Sequence, residues 1–544
     1  MLERKKNYIH RGIWIATCML AVAIGGLYYF GILNAFVPNS EDLMSTQKWY
    51  QILEMGQPYH HQNIISDAVT CFSVLIGGMS YFSRRLEFTI IYVIILGLSL
   101  WLSVSKVEQK KRWSVLPLWA FFMIFVHTVQ SGSGFARMYE ETDLLYQLPY
   151  NYHTVPLIFS MIYMIMLQSY LNADSGKRKK VIGCIGILLG IYVFKYTDLV
   201  YYIVFVIPLL IVLLIRGVYH DKTKKYILPL FTLCAGLLLL TRFLPGTFFE
   251  RLWSTYAIAN PYGDIYGGTN WLYLDDILVH CVNYVKVVMK LFNVEVSNRP
   301  VISLYSGLFI VRIAFMLYGY TIVAKILRCS VRGKAEQDGY TIIDEILAWA
   351  FTVLSCTFVF TRNGENEGAT RYYAALVPLL TMILCRNIEN ELKSFLPVLG
   401  SLKHKKVYFC GIVGALCICQ AEPVWQYRVE DSYQEDCEAV IEWLKMWGAE
   451  SDGYALAPFW LCSRLSAMTE GDILFYYDER QIKQIYGEDA VIKYAVVGWS
   501  EEILTWGYDV VDGCSSYDEW SEQYRSSIKR AIDLDYVYVC EFAE

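Results

Sequence analysis

Two adjacent carboxylates, Glu41 and Asp42, follow the first long apolar run in the polar turn Asn39-Ser40-Glu41-Asp42, and Gly56-Gln57-Pro58-Tyr59 comes shortly after. The chain is 55% hydrophobic and 16% aromatic. In such a chain, paired acids at the mouth of an apolar helix suit a reaction on a lipid-linked substrate at a membrane surface. A carboxylate held there can deprotonate a hydroxyl as its oxygen attacks the anomeric carbon of a sugar. Asp42 can equally hold a divalent ion such as Mg or Mn through hard oxygen ligands. Helix capping is the plainer reading, with Ser40 as N-cap and the acids in the first turn. The two readings are compatible, because a capped helix holds a carboxylate rigidly.

Three further groups of residues could serve the same chemistry. Lys195 closes the run Gly190 to Phe194. It either snorkels to the interface beside Asp198 or meets a lipid phosphate at headgroup level. Arg362 and Arg371-Tyr372 flank a short polar loop, with Pro378 in the next run. Guanidinium groups grip phosphate oxygens with two bonds, or pair locally with Glu365 or Glu367. The loop with Arg137, Glu140, Tyr150 and His153 is either solvated or supplies acceptor and sugar contacts. His60, His61 and His153 do not have a zinc-ligand spacing. Asp67, near the start of an apolar run, faces a cavity or marks a segment that does not cross.

These groups need elements to hold them. Twelve apolar runs are predicted, near 13–33, 64–82, 86–105, 113–130, 154–171, 181–196, 197–216, 226–243, 302–326, 342–361, 371–386 and 407–421. Several approach the roughly 20 residues that cross a bilayer, so the chain reads as a polytopic membrane protein. The first run, behind Arg4, Lys5 and Lys6, is long for a signal peptide and lacks a small-residue cleavage site, so it reads as a retained span. Basic clusters at Lys177 to Lys180, Arg216 to Lys225, Lys325 to Lys334 and Arg386 to Lys406 assign their loops to the cytoplasm. Loops 34–63 and 244–301 and the tail then face outside. Twelve is an even number, while a cytoplasmic N-terminus and an external tail require an odd one. Either a run between 64 and 112 does not span, or the basic stretch Lys106 to Arg112 breaks the rule, or a further crossing lies within 113–153. Leu274 to Leu291 mixes apolar and polar residues at helical spacing and is expected to lie flat on the membrane.

Charge is segregated. From Arg428 onward there are 9 Lys/Arg against 25 Asp/Glu, within an overall net charge of −5. A basic membrane part (1–426) with an acidic soluble tail (427–544) argues against nucleic acid as partner. The tail reads as a small α/β domain, with a helix at Cys437 to Trp447 and strands at 473–477, 493–497 and 536–539. Its cysteines, Cys437, Cys462, Cys514 and Cys540, could form one or two disulfides. No Walker loop, GxGxxG or CxxC occurs, so ATP, a nucleotide sugar and a zinc or redox centre are disfavoured.

In order and shared side, these pieces resemble the GT-C superfamily of polytopic glycosyltransferases, which take sugars from polyprenyl-phosphate carriers. The resemblance rests on Glu41-Asp42, Gly56-Gln57-Pro58-Tyr59, Lys195, Arg371-Tyr372 with Pro378, and the α/β tail. It implies a helical bundle of about 11–13 spans in the plasma membrane, with an extracytoplasmic C-terminal domain. The implied donor is a polyprenyl-phosphate-linked sugar, and the acceptor a hydroxyl on a glycan or another cell-envelope molecule. The implied base is Asp42 or Glu41. Lys195, Arg371, Tyr372, Arg137, Glu140, His153 and Tyr59 are the candidate substrate contacts. No cofactor is required by the residues, and a divalent metal at Asp42 stays open, since the acids are adjacent and not spaced as acid-x-acid. A flippase or transporter, or a polymerase or ligase of lipid-linked polysaccharide, is the alternative.

Overall fold

The structure is a computed structural model of the 544-residue chain. It describes residues 14–27, 30, 46–56, 64–107, 115–124, 151–171, 177–194, 199–219, 221–243, 272–292, 294, 304–365, 373–395, 432–498, 527–534 and 537–543.

The membrane part is helical. Its elements are α1 (Trp14–Leu27), α2 (46–55, ending in the π-helical turn Gln51–Met55), α3 (Ile64–Gly77), α4 (Tyr81–Ser105) and α5 (Val115–Met123). Then come α6 (Asn151–Leu171), α7 (Lys177–Phe194), α8 (199–219), α9 (Asp221–Phe243) and α10 (Ile277–Leu291). The last are α11 (Leu304–Val331), α12 (Ile342–Phe360) and α13 (Leu376–Phe395). Four stretches, within α4, α8, α11 and α12, are long and apolar enough to cross a membrane.

Periodicity decides which face each helix buries. In α4 the residues Phe88, Ile91, Tyr92, Ile95, Leu96, Ser99, Leu102 and Ser103 recur every three or four positions and are buried, while Trp101 is exposed. In α13 every residue from Leu376 to Ile388 is buried. A helix apolar all round belongs at the centre of a bundle, and α13 packs against α4, α5, α11 and α12.

Side-chain contacts show which helix ends share a face. The C-terminal sheet meets both α2, where Gln47 donates to the Phe475 carbonyl at 2.9 Å, and the turn before α4, where Met79 packs on Ala467. Call this the sheet face. The other end of α4 lies at the far face, where Lys106 pairs with Asp344 at the foot of α12. Helix α1 runs antiparallel to α4, with Phe30 against Phe82. Helix α5 returns toward the sheet face: the Trp119 indole donates to Ser99 at 3.0 Å, and the Tyr92 hydroxyl donates to the Met123 carbonyl. Arg216 pairs with Glu345 at the far face, so α8 begins at the sheet face. There Tyr202 donates to the Ile191 carbonyl at 2.7 Å, which brings the end of α7 alongside. Helix α6 lies antiparallel to α7, with Tyr163 against Gly190 and Tyr170 against Gly183.

This arrangement corrects one predicted span. The segment 56–79 starts and ends at the sheet face, so the apolar run at 64–82 does not cross. Its helix α3 has 14 residues, about 21 Å against a hydrocarbon core of about 30 Å. It turns back at Gly78, which has φ +61°, and Ser80 caps α4 by accepting from the Ser83 amide. With that run removed from the predicted twelve, eleven predicted crossings remain, an odd number. No extra crossing is needed within 113–153, because α5 leads to the sheet face and α6 starts there. The predicted span at 407–421 lies outside the described residues.

The C-terminal part folds around a five-stranded sheet of order β2-β1-β3-β5-β4. The strands are β1 (Tyr454–Leu456), β2 (Leu474–Tyr476), β3 (Tyr494–Gly498), β4 (Ile528–Leu534) and β5 (Val537–Phe542). β1, β2 and β3 are parallel, with helices α15 (Phe459–Met468) and α16 (Glu479–Tyr486) as crossovers after α14 (Ser432–Trp447). β5 is antiparallel to β3 and β4. β2 is buried at every residue, as parallel strands covered on both faces are. The three expected strands are present. Cys437, Cys462 and Cys540 are buried, and the disulfides that the sequence allows do not form between these three described cysteines; Cys514 lies outside the described residues. Burial pushes the Cys540 thiol up to about 12, which keeps it protonated and unreactive.

Candidate functional site

Glu41, Asp42, Tyr59, Arg137, Glu140, Lys195, Arg371 and Tyr372 lie outside the described residues, as does the side chain of His153. Their described neighbours are informative. Thr46, in α2 and four positions after Asp42 in sequence, is fully buried. The end of α7 and the start of α8 flank Lys195 at the sheet face. Tyr373, next to Arg371 and Tyr372, is buried with its ring 4.8 Å from Phe358, near the sheet-face end of α12. The helix that contains His153 also begins at this face.

The best described part of this face is the loop after α12. Thr361 bridges to Leu272, and the Tyr273 amide donates to the Phe360 carbonyl at 2.9 Å. Helix α10 then packs across the loop. Asn283 donates to the Gly364 carbonyl at 2.9 Å, and His280 donates through Nδ1 to the Val359 carbonyl at 2.9 Å. The His280 ring stacks on Tyr273 at 5.8 Å. Gly364 is required here: a Cβ would sit 2.4 Å from the His280 ring. Asn363 donates to the Tyr373 hydroxyl at 3.4 Å, which ties the loop to the start of α13.

Arg362 projects from this loop. It is exposed, and its guanidinium lies 5.3 Å from the centroid of the Tyr273 ring. The local pairing with Glu365 that the sequence allowed does not form, and Arg362 makes no ion pair among the described residues. A planar cation held on an aromatic face keeps its N–H edges free for an anion.

Helix α10 turns its polar residues inward. His280 and Asn283 are buried, whereas Leu278, Val279, Val282 and Val285 are more than half exposed. The expectation of a helix lying along the membrane surface fits this polarity.

A second feature of the sheet face was not read from the sequence. Thr70 of α3 donates to Glu87 at 2.6 Å, and Arg84 pairs with the same carboxylate at 2.5 Å while its guanidinium covers Phe88. Three buried polar side chains thereby fasten α3 to α4. The signal was present as the charges Arg84 and Glu87 at the start of α4.

The far face is held by two charge clusters. Asp344 receives Arg386 Nε at 2.7 Å and Lys106 Nζ at 2.8 Å, and closes a capping box with Thr341. Arg386 also donates to the Leu102 carbonyl at 2.6 Å and to Ser105 at 2.7 Å. Glu345 receives Arg216 Nε and the Ser330 hydroxyl, each at 2.7 Å. These buried charges pair with one another at the end of the bundle opposite the sheet face, so they position helices. Among the described residues no three His, Cys, Asp or Glu side chains form a metal-ligand group; Asp42 lies outside them.

Comparison with known proteins bears on the fold. No protein-family model matches the chain, and no curated protein does. Among solved structures, ArnT from Cupriavidus metallidurans bound to undecaprenyl phosphate superposes with a TM-score of 0.55 at 10% identity, covering 97% of both chains. The apo state of ArnT gives a TM-score of 0.58 at 10% identity, covering 97% of this chain and 98% of the other. The chain therefore has the ArnT fold along almost its whole length. The sequence resemblance to the polytopic GT-C glycosyltransferases is borne out at the level of fold.

Proposed function

We propose that the chain is a membrane glycosyltransferase that moves a sugar from a polyprenyl-phosphate carrier to an acceptor hydroxyl at the external face of the plasma membrane. The observation that carries this reading is the likeness over 97% of both chains to a structure bound to undecaprenyl phosphate. The site assignment draws on the helix ends: those flanking Asp42, Lys195 and Arg371 share the face that carries the C-terminal sheet. The external assignment follows from charge. Lys106, the Lys177–Lys180 end of α7, Arg216 and Arg386 all fall at the opposite face, which the positive-inside rule makes cytoplasmic.

In this mechanism Asp42, with Glu41 beside it, takes the proton from the acceptor hydroxyl. The acceptor oxygen forms a bond to the anomeric carbon as the bond from that carbon to the phosphate oxygen breaks. The carrier leaves as polyprenyl phosphate. Negative charge grows on the leaving phosphate, and in this reading Lys195, Arg371 and Arg362 neutralise it. Tyr59, Tyr372, Arg137, Glu140 and His153 contribute contacts to sugar and acceptor.

The test is transfer from labelled polyprenyl-phosphate hexoses by the full chain in liposomes. Asp42→Asn should abolish transfer with expression and insertion intact. Full activity in that variant would remove Asp42 as the base. Absence of transfer by the unaltered chain from every carrier sugar supplied would favour the flippase reading.

A further inference from the structure

The turn that follows the acidic pair is gripped by the C-terminal sheet. The described part of helix α2 carries two buried glutamines, Gln47 and Gln51, which are 6% and 2% exposed. A buried amide is costly unless its hydrogen bonds are made, and both partners lie on one strand. Gln47 donates to the Phe475 carbonyl at 2.9 Å, and Gln51 donates to the Tyr476 hydroxyl. That hydroxyl lies 3.3 Å from the Tyr486 hydroxyl, so the chain of polar groups continues into α16. Burial holds the Tyr476 phenol well above its ordinary value, and it remains a neutral O–H that can accept from Gln51 and donate onward.

Shape reinforces the grip. The Tyr50 ring fills the place where a side chain on Gly471 would begin: a Cβ there would lie 2.7 Å from the ring, and Gly471 has φ +93°. Helix α2 ends in the π-helical turn Gln51–Met55, closed by Gly56 in the left-handed region. A π-turn places one extra residue in the helix. Buried, directional hydrogen bonds of this kind specify register, which greasy packing does not.

We infer that β2 is a clamp on α2, the helix that follows Glu41-Asp42 in sequence, and that Gln51 and Tyr476 are thereby positioning residues for the transfer. The inference rests on the reading of Asp42 as base. The sheet then acts on the reaction through α2, and is more than a cover for the membrane part.

The test uses the full chain in liposomes with a labelled polyprenyl-phosphate hexose. Tyr476→Phe removes only the hydroxyl that Gln51 reaches. Expected are a kcat lower by about tenfold, since small misplacements of a reacting group are costly, an unchanged KM for the carrier, and faster hydrogen exchange confined to residues 46–56. Gln51→Ala and Gly471→Ala approach the same contact from either side and should act alike, while Lys445→Ala at the exposed end of α14 should change neither reading. Faster exchange with an unaltered kcat overturns the clamp. So does unaltered exchange, or a raised KM with kcat intact. An active Asp42→Asn variant would instead remove the base assignment, and the exchange measurement separates the two failures.

Discussion

Asp344 and Arg386 meet at 2.7 Å in the interior of the bundle, 0% and 1% exposed. The pair joins α12 to α13, and Lys106 adds α4 to the same carboxylate. Removing one partner of a buried ion pair costs about 3–5 kcal/mol, because the other charge is left uncompensated. Asp344→Ala should therefore lower the unfolding temperature in detergent sharply. Asp344→Leu with Arg386→Met should lose less than either single change, as a thermal double-mutant cycle would show.

Arg362 rests on Tyr273 with its donor edge free. If it grips the carrier phosphate, Arg362→Gln should raise the KM for the labelled carrier and lower kcat/KM by about tenfold, the value of one charge-assisted hydrogen bond. Tyr273→Leu should give a smaller loss of the same kind. An unchanged KM in both would take Arg362 out of the binding site.

The non-crossing segment makes a topological prediction. Short tags placed after Gly56 and after Gly78 should be reached by protease from the same side as a tag at the C-terminus. A tag placed after Val107 should be reached only from the other side. Opposite exposure of the first two would restore the run at 64–82 as a span.

Glu541 gives the C-terminal sheet an acid sensitivity of known sign. Burial pushes its carboxyl up, but hydrogen bonds and charge from Arg530 and Lys529 outweigh this and hold it below the usual 4.5. Its folded value is the lower one, so the unfolded chain binds the proton more readily. The stabilisation is complete above the ordinary carboxylate value and disappears as pH falls through the lowered one. Glu541→Gln should flatten the acid side of the stability profile. An acid side of the same slope in that variant would assign the sensitivity elsewhere.

The bundle was legible because apolar runs and alternating basic clusters are properties of composition, and so were the strands at 474–476, 494–498 and 537–542. Two features were not. Helix α3 is as apolar as a span, and only the contacts of α2 before it and of Met79 after it show that the chain turns back. Strand β4 has only exposed and half-buried residues at a sheet edge, so it offers no continuous apolar signal. The candidate site is read from the sequence as isolated charges at helix ends, and those residues lie outside the described ones. Gln47, Gln51, His280 and Asn283 were not legible, because a buried amide or imidazole acquires its meaning from a partner hundreds or tens of residues away. Arg362 was noticed, but whether it pairs locally is decided by the aromatic ring of Tyr273, which sequence spacing does not reveal.

Asp344 and Glu345 are consecutive, so their carboxylates leave α12 about 100° apart. Each is caught by different helices, Asp344 by α4 and α13, Glu345 by α8 and α11. The foot of α12 is keyed in two directions and does not spin about its own axis without breaking one set of bonds. A helix of 19 residues is about 28 Å of stiff rod. The bearing in which Arg362 looks out over one surface of the membrane is thus decided by two acids anchored near the other.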